Sequence, residues 1–177
     1  MHAISIIAVI ALIAADQLAK RAAVLYLEPI GSYPLINNVF ELHFVMNEGA
    51  SFGMMQGGRW FFVAATPVVL LFIVVYYIKL PEHKPYNWVR ASLVMVFAGA
   101  VGNFVDRARQ GYVVDYFYAK FINFPVFNIA DMMIVIGTFI FVAVFIFFIR
   151  DEAKARDDGV VEVTADDNSE QAGLREQ

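Results

Sequence analysis

The chain has 177 residues, 60% of them hydrophobic and 17% charged, and its mean hydropathy is +0.61; soluble domains average roughly 45–50% apolar and about 25% charged, so an ordinary soluble domain is excluded. With no cysteine, a disulfide framework, a zinc-thiolate site, an iron–sulfur cluster and a cysteine nucleophile are excluded as well. The acidic balance behind the formal charge of −4 belongs to residues 151–177, which hold nine acids against three bases; residues 1–150 are net positive but lack a basic stripe, so no nucleic-acid partner is expected.

In chain order, Ala3–Ala15 is the first candidate span, apolar apart from Ser5 and continued in helical pattern through Asp16 and Lys20 into Ala22–Leu27. A cleaved signal sequence has a similar apolar core, but no Lys or Arg precedes this one, and an uncleaved span is expected. Glu28–Arg59 is too polar to cross. Inside it, Val39–Met46 puts Val39, Glu41, His43 and Val45 on one face and Phe40, Leu42, Phe44 and Met46 on the other. That alternation predicts a strand lying at the outer membrane surface. Gly53, Gly57 and Gly58 mark a turn before the second span, Trp60–Ile78, which holds Pro67. The third span is Ala91–Val105, extended outward by Val89 and Trp88 across Arg90. A second outer connection, Arg107–Phe127, is rich in Tyr and Phe, as segments at headgroup level are. Met132–Ile149 is the fourth span. Beyond Arg150 the chain is acidic and without apolar period, and Asp157–Gln177 is expected to be disordered.

These lengths suit a bilayer that takes about 20 residues to cross. The expected fold is an all-α membrane protein with four transmembrane helices and a small β-rich outer element between helices 1 and 2. Residues 1–150 form the membrane domain and 151–177 an acidic cytoplasmic tail. Lys79, Lys84 and Arg90 crowd one short connection, and Arg150, Lys154 and Arg156 follow the last span. Such density marks the inner side, which puts both termini in the cytoplasm. No inverted half-repeat is visible, which speaks against a secondary transporter.

In lipid an ionised side chain at a helix centre costs about 2.5–3.5 kcal/mol on insertion scales, so each one needs a partner or a role. Asp16 and Lys20 share a helix face at i, i+4 and can pair. Asn103, Asp106 and Arg107 cluster at the outer end of the third span, and Asn128 and Asp131 at the outer start of the fourth, with Asp115 in the connection between them. All of them fall at one outer level. Each has an ordinary alternative: a structural ion pair for Asp16–Lys20, interfacial snorkelling for Asp106–Arg107, helix-dipole complementation for Asp131 and plain solvation for Asp115. Gly99 and Gly102 have the spacing for close helix approach.

The chemical inventory is narrow. No H-E-x-x-H occurs, and His2, His43 and His83 are scattered, so no metal site is expected. No G-x-S-x-G occurs among the five serines, and there is no Gly-rich phosphate loop. Carboxylates remain. Two Asp residues a few ångströms apart can share one proton, the charged one activating water while the protonated one donates to a peptide carbonyl. Aspartyl hydrolysis is the familiar peptidase chemistry left open. A small proton or ion conductor, or a membrane assembly factor built on buried Asp pairs, stands as the alternative.

From about residue 4 to 150 the chain resembles the bacterial lipoprotein signal peptidases, signal peptidase II. Asp16-Gln17-Leu18-Ala19-Lys20 fits the family's D-x-x-x-K. Asn47-Glu48-Gly49-Ala50-Ser51-Phe52 fits N-x-G-[AV]-[AS]-F. Gly99–Arg107 fits G-x-x-G-N-x-x-D-R, Val113-Val114-Asp115-Tyr116 fits V-x-D-F with Tyr for Phe, and Phe127–Asp131 fits F-N-x-A-D. The resemblance implies that Asp115 and Asp131 are the catalytic dyad. It implies that Asn103 and Asn128 flank the dyad, and that Asn47, Gly49, Asp106, Arg107 and Ala130 shape the site or contact substrate. Asp16, Lys20 and Gly102 take structural roles. The implied substrate is a diacylglyceryl prolipoprotein, cut before its lipidated cysteine at the outer face of the bacterial inner membrane. A monomer without cofactor is expected.

Overall fold

A lone segment in lipid can satisfy its backbone only as a helix. The computed structural model, which describes residues 2–49, 57–82 and 84–149, has four helices long and apolar enough to cross a membrane. Helix α1 (His2–Ala22) continues as a π-helical turn to Leu27. Helix α2 is Arg59–Lys79, α3 is Lys84–Gln110, and α4 is Ile129–Val144 with a π-helical continuation over Phe145–Ile149. The helices overrun the apolar runs at the polar end. Helix α3 carries on through Asp106 and Arg107, and α4 begins at Ile129, because those polar groups find partners inside the protein.

Helix α3 is the hub, packing against α4, α1 and α2. Half of its span is buried, whereas none of the α2 span is. Small residues let the helices close on one another, the packing device available where lipid removes a hydrophobic drive. A Cβ on Gly99 would fall on the Ala130 carbonyl oxygen, and one on Gly137 would lie 2.8 Å from the Ser92 carbonyl oxygen. At the end remote from the sheet, Leu80, Val89, Leu93 and Val144 form an apolar core. There the buried Arg90 guanidinium donates to the Leu80 carbonyl at 2.8 Å, and the Tyr77 hydroxyl donates to Ser5 Oγ at 2.7 Å.

The other end carries an antiparallel sheet of β1 (Ser32–Ile36), β2 (Phe40–Asn47) and β3 (Val113–Ala119), in that order. The β-rich element expected between helices 1 and 2 is therefore only two-thirds of the sheet: β3 comes from the connection between α3 and α4. Helix α3 reaches β3 through Gly111 and Tyr112, with Gly111 at φ 93°. A side chain there would press on the Arg59 guanidinium, 3.2 Å from the Cβ position. Leu42 and Phe44 of β2 pack with Ala23, Leu27, Val114 and Tyr116 against the end of α1.

The pairing of β2 with β3 shifts between Leu42–Phe117 and Val45–Asp115. One extra residue in β2 breaks its strict alternation, as a bulge does. Met46, expected on the apolar face, is exposed, and Asn47 at the strand's end turns to Asp115. The expected turn at Gly53 and the tail at 151–177 lie outside the described residues.

Candidate active site

Between the helices and the sheet lie two adjoining polar layers. The first belongs to α1 and α3. The Lys20 ammonium has three acceptors: Asp16 Oδ2 at 2.9 Å, Asp106 Oδ2 at 2.7 Å and Asn103 Oδ1 at 2.8 Å. All three of its protons are used, and Asp16, Lys20 and Asp106 are buried. Asp16 Oδ1 accepts the Ala130 backbone N–H at 3.0 Å, which ties α1 to the first turn of α4. Gly102 makes room for this carboxylate: a Cβ there would stand 2.5 Å from Asp16 Oδ2. Gln17 joins the layer with no role foreseen in the sequence. Its Nε2 donates to Asp106 Oδ1 at 3.0 Å and to the Gly102 carbonyl at 3.2 Å. Its position beside Asp16 was the only available sign.

The second layer holds Asp115 on β3 and Asp131 in the first turn of α4. Asn128 and Asp131 form a capping box, an arrangement that satisfies two otherwise orphaned helix N–H groups. Asn128 Oδ1 accepts from the Asp131 N–H at 3.0 Å, and Asp131 Oδ2 accepts from the Asn128 N–H at 3.1 Å. Asp131 Oδ1 accepts from Asn103 Nδ2 at 2.8 Å. Asp115 Oδ1 accepts from Asn128 Nδ2 at 2.6 Å, and Asp115 Oδ2 from Asn47 Nδ2 at 2.8 Å.

The amide orientations are dictated, because each Asn carbonyl faces a group that can only donate. Asn103 Oδ1 faces the Lys20 ammonium, Asn128 Oδ1 the Asp131 N–H, and Asn47 Oδ1 the Gly49 N–H at 3.0 Å. Each must then turn its NH2 to a carboxylate. Among the described residues no Lys or Arg forms an ion pair with Asp115 or Asp131. Burial pushes the Asp115 carboxyl up to about 7, and the charge of Asp131 adds to the rise against the hydrogen bonds from Asn47 and Asn128.

Both carboxylates line a cavity of about 240 Å³, with Asn47, Asn103 and Arg107 on its polar side. Its other walls are Phe62 and Thr66 of α2, Ala100 and Phe104 of α3, Val113, Val126 and Ile134. Sequence reasoning missed this apolar half. Thr66, the one aliphatic hydroxyl in the run Trp60–Ile78 and one turn from Phe62, was its legible mark. Arg107 Nη2 donates to the Gly49 carbonyl at 2.7 Å, and the guanidinium lies 4.6 Å from the centre of the Phe62 ring. Asn47, Asn103, Arg107 and the two Asp residues thus meet at the cavity, with Gly49 and Asn128 hydrogen-bonded to them from outside its lining. Asp16, Lys20, Gly102, Asp106 and Ala130 meet in the layer behind it. Among the described residues no cluster of His, Asp and Glu has the makings of a metal site. A cavity with two carboxylates outside any ion pair and N–H donors on one side, and apolar walls on the other, can hold a water and a peptide carbonyl together.

Residues 8–147 match the family model described as signal peptidase (SPase) II. The lipoprotein signal peptidase of Caldanaerobacter subterraneus subsp. tengcongensis is 49% identical over 126 residues, covering 71% of this chain and 83% of the relative. That of Lactococcus lactis subsp. lactis is 38% identical over 149 residues, 84% of this chain and 95% of the relative. A bacterial membrane enzyme solved by the in meso method at 2.3 Å superposes with a TM-score of 0.73 at 29% identity, over 86% of this chain and 91% of that one. With its matched segment reaching into all four spans and holding both layers of the polar site, the chain belongs to the signal peptidase II family.

Proposed function

We propose that this chain is a membrane aspartyl endopeptidase that removes signal peptides from diacylglyceryl prolipoproteins, cutting before the lipidated cysteine, with Asp115 and Asp131 as its catalytic residues. The observation that carries the reading is the shared cavity, where the buried carboxylate of Asp115 and the half-buried one of Asp131 receive neutral N–H donors and, among the described residues, form no ion pair. With one proton between them, the charged carboxylate takes a proton from water and the hydroxide oxygen bonds to the scissile carbonyl carbon. The other carboxyl gives its proton to the carbonyl oxygen, leaving a neutral gem-diol and one proton still on the pair. Collapse returns a diol proton to the carboxylate, breaks the C–N bond and passes the other proton to the leaving nitrogen.

Asn103 and Asn128 hold the dyad in place. Asn47, Gly49 and Arg107 offer polar contacts to the substrate backbone, and Asp16, Lys20, Gly102, Asp106 and Ala130 brace them. The substrate reaches the cavity from the bilayer, held there by its apolar signal helix and its acyl chains. Both termini lie in the cytoplasm, and the sheet and dyad face the outer side of the bacterial inner membrane. The enzyme acts as a monomer, and the acidic residues 151–177 form a separate tail. Ion conduction is disfavoured by placement: α2 has no acid, and Asp16, Asp106 and Asp131, the acids of the other spans, gather at the sheet end. A relay needs carboxylates at several depths.

The test is cleavage by detergent-purified protein of one prolipoprotein offered with and without diacylglycerol. Release of the signal peptide from the lipidated form alone is expected. Equal cleavage of both forms contradicts the substrate, and cleavage of neither contradicts the enzyme.

A further inference from the structure

Among the described residues the side-chain hydrogen bonds of the two polar layers meet at Asn103, and the contact has a direction. Its Oδ1 accepts from the Lys20 ammonium at 2.8 Å and its Nδ2 donates to Asp131 Oδ1 at 2.8 Å. An amide polarised by a cation on its oxygen is a stronger donor through its nitrogen. The same oxygen also accepts from Asn128 Nδ2 at 3.2 Å, and Asn128 donates to Asp115. The orientation of Asn103 is therefore set by Lys20 and felt by both members of the dyad. Turned the other way, Asn103 would place a carbonyl oxygen against Asp131 Oδ1, which is tolerable only when Asp131 carries the proton.

The surroundings of the two carboxylates are unequal. Asp131 accepts a backbone N–H in the first turn of α4, where the helix dipole favours negative charge. The cationic groups on its side are Lys20 from α1 and Arg107 from α3; the anionic ones are Asp115 from β3, with Asp16 and Asp106 beyond Lys20. Helix α2 presents the uncharged Phe62 and Thr66 to the cavity. Asp115 accepts only side-chain amides, and it is nearly sealed from solvent, at 2% exposure.

We propose that Lys20, acting through Asn103, is a positioning residue that sets the order of the dyad: Asp131 is the resident carboxylate that activates water, and Asp115 carries the proton to the carbonyl oxygen. The reading rests on the dyad proposed above and gives its members separate tasks. It also gives a chemical use to a lysine that otherwise looks like a brace. Burial holding Asp115 protonated up to about 7 agrees with that division.

The experiment is the pH profile of kcat for diacylglyceryl prolipoprotein cleavage, measured on full-length detergent-purified wild type, Lys20→Met and Asn103→Leu. Losing the polarised donor makes Asp131 hold a proton to higher pH. In both variants the acid limb should move up by about one pH unit, a tenfold change in proton concentration, while KM changes by less than about threefold. Asn103→Leu keeps both Asp–Lys20 pairs, so an unshifted acid limb in it overturns the proposal even if Lys20→Met does not fold. An acid limb at the wild-type position in a folded, active variant overturns the proposal. So does a rate that falls equally at every pH, the mark of a structural role. Turnover surviving in Asp115→Asn or Asp131→Asn would instead remove the dyad, a separate failure.

Discussion

Asp16 and Asp115 are 0% and 2% exposed, on neighbouring layers of one protein, yet their surroundings are opposite in kind. Asp16 meets an ammonium at 2.9 Å, a backbone N–H and a glycine gap shaped to its oxygen. Asp115 meets two neutral amides and an open cavity. A cation held against a carboxylate fixes helices relative to one another. Neutral donors orient a carboxylate and leave its proton free to move. The chain uses one residue type for both tasks, and the choice of donor decides which task a given Asp performs.

The largest effect that would sharpen this contrast is on turnover. Asp115→Asn and Asp131→Asn should each lower lipidated-substrate cleavage by roughly 10³-fold or more, and the double variant should be little worse than either, since the pair acts as a unit. Asp106→Asn, in the paired layer, should retain measurable activity. Parallel rates for purified protein check all four; substantial turnover by either dyad variant would erase the contrast.

Next comes stability. Lys20→Ala leaves Asp16 and Asp106 buried without their cation and should cost about 3–5 kcal/mol, read as a lowered thermal midpoint in detergent. A Lys20→Ala protein that melts like wild type would show that the paired layer is not a brace. Gly102→Ala pushes a methyl at the same carboxylate and should cost about 1–3 kcal/mol, measured in the same way.

Last comes the pH dependence of folding. Because Asp115 holds its proton up to about 7 when folded, against about 3.9 for a free Asp, the folded state binds more protons over that interval. Stability from this group is therefore full below about pH 4 and declines as pH rises to about 7. Asp115→Asn should flatten the slope of thermal midpoint against pH between 4 and 7. An unchanged slope would mean that Asp115 titrates as an ordinary exposed acid.

Much of this was legible in the residues. The spans show as uncharged runs because lipid tolerates little else, and the polar residues of the site stand out against those runs for the same reason. Asp16 and Lys20 read as a pair from their spacing alone. Asp106 as the third member did not, since nothing local in Gly99–Arg107 points to a residue on α1. Strand β3 was hidden for a similar reason: Val113–Ala119 is apolar and aromatic enough to be a strand, but its partner β2 lies before α2, and strand pairing at such separation leaves no local trace. Strand β1 is short, fully exposed and contains Pro34, the profile of an edge strand whose weak pattern is easily read as loop. The cavity's apolar wall escaped because Phe62, Phe104 and Ile134 look the same facing a substrate as facing lipid.

The i, i+4 spacing of Asp16 and Lys20 also bears on how the protein is made. Synthesis delivers the N-terminal segments first, so α1 is in place before the helix that supplies Asp106 and Asn103 exists. One turn apart, the two residues neutralise each other within α1 itself, and the young helix can wait in the bilayer without an exposed charge. The dyad has no such early form. Asp115 and Asp131 come from the last two elements, and their donors come from β2, α3 and the cap of α4. A partly synthesised chain therefore carries the brace alone, and the proposed dyad is complete only when the last span arrives.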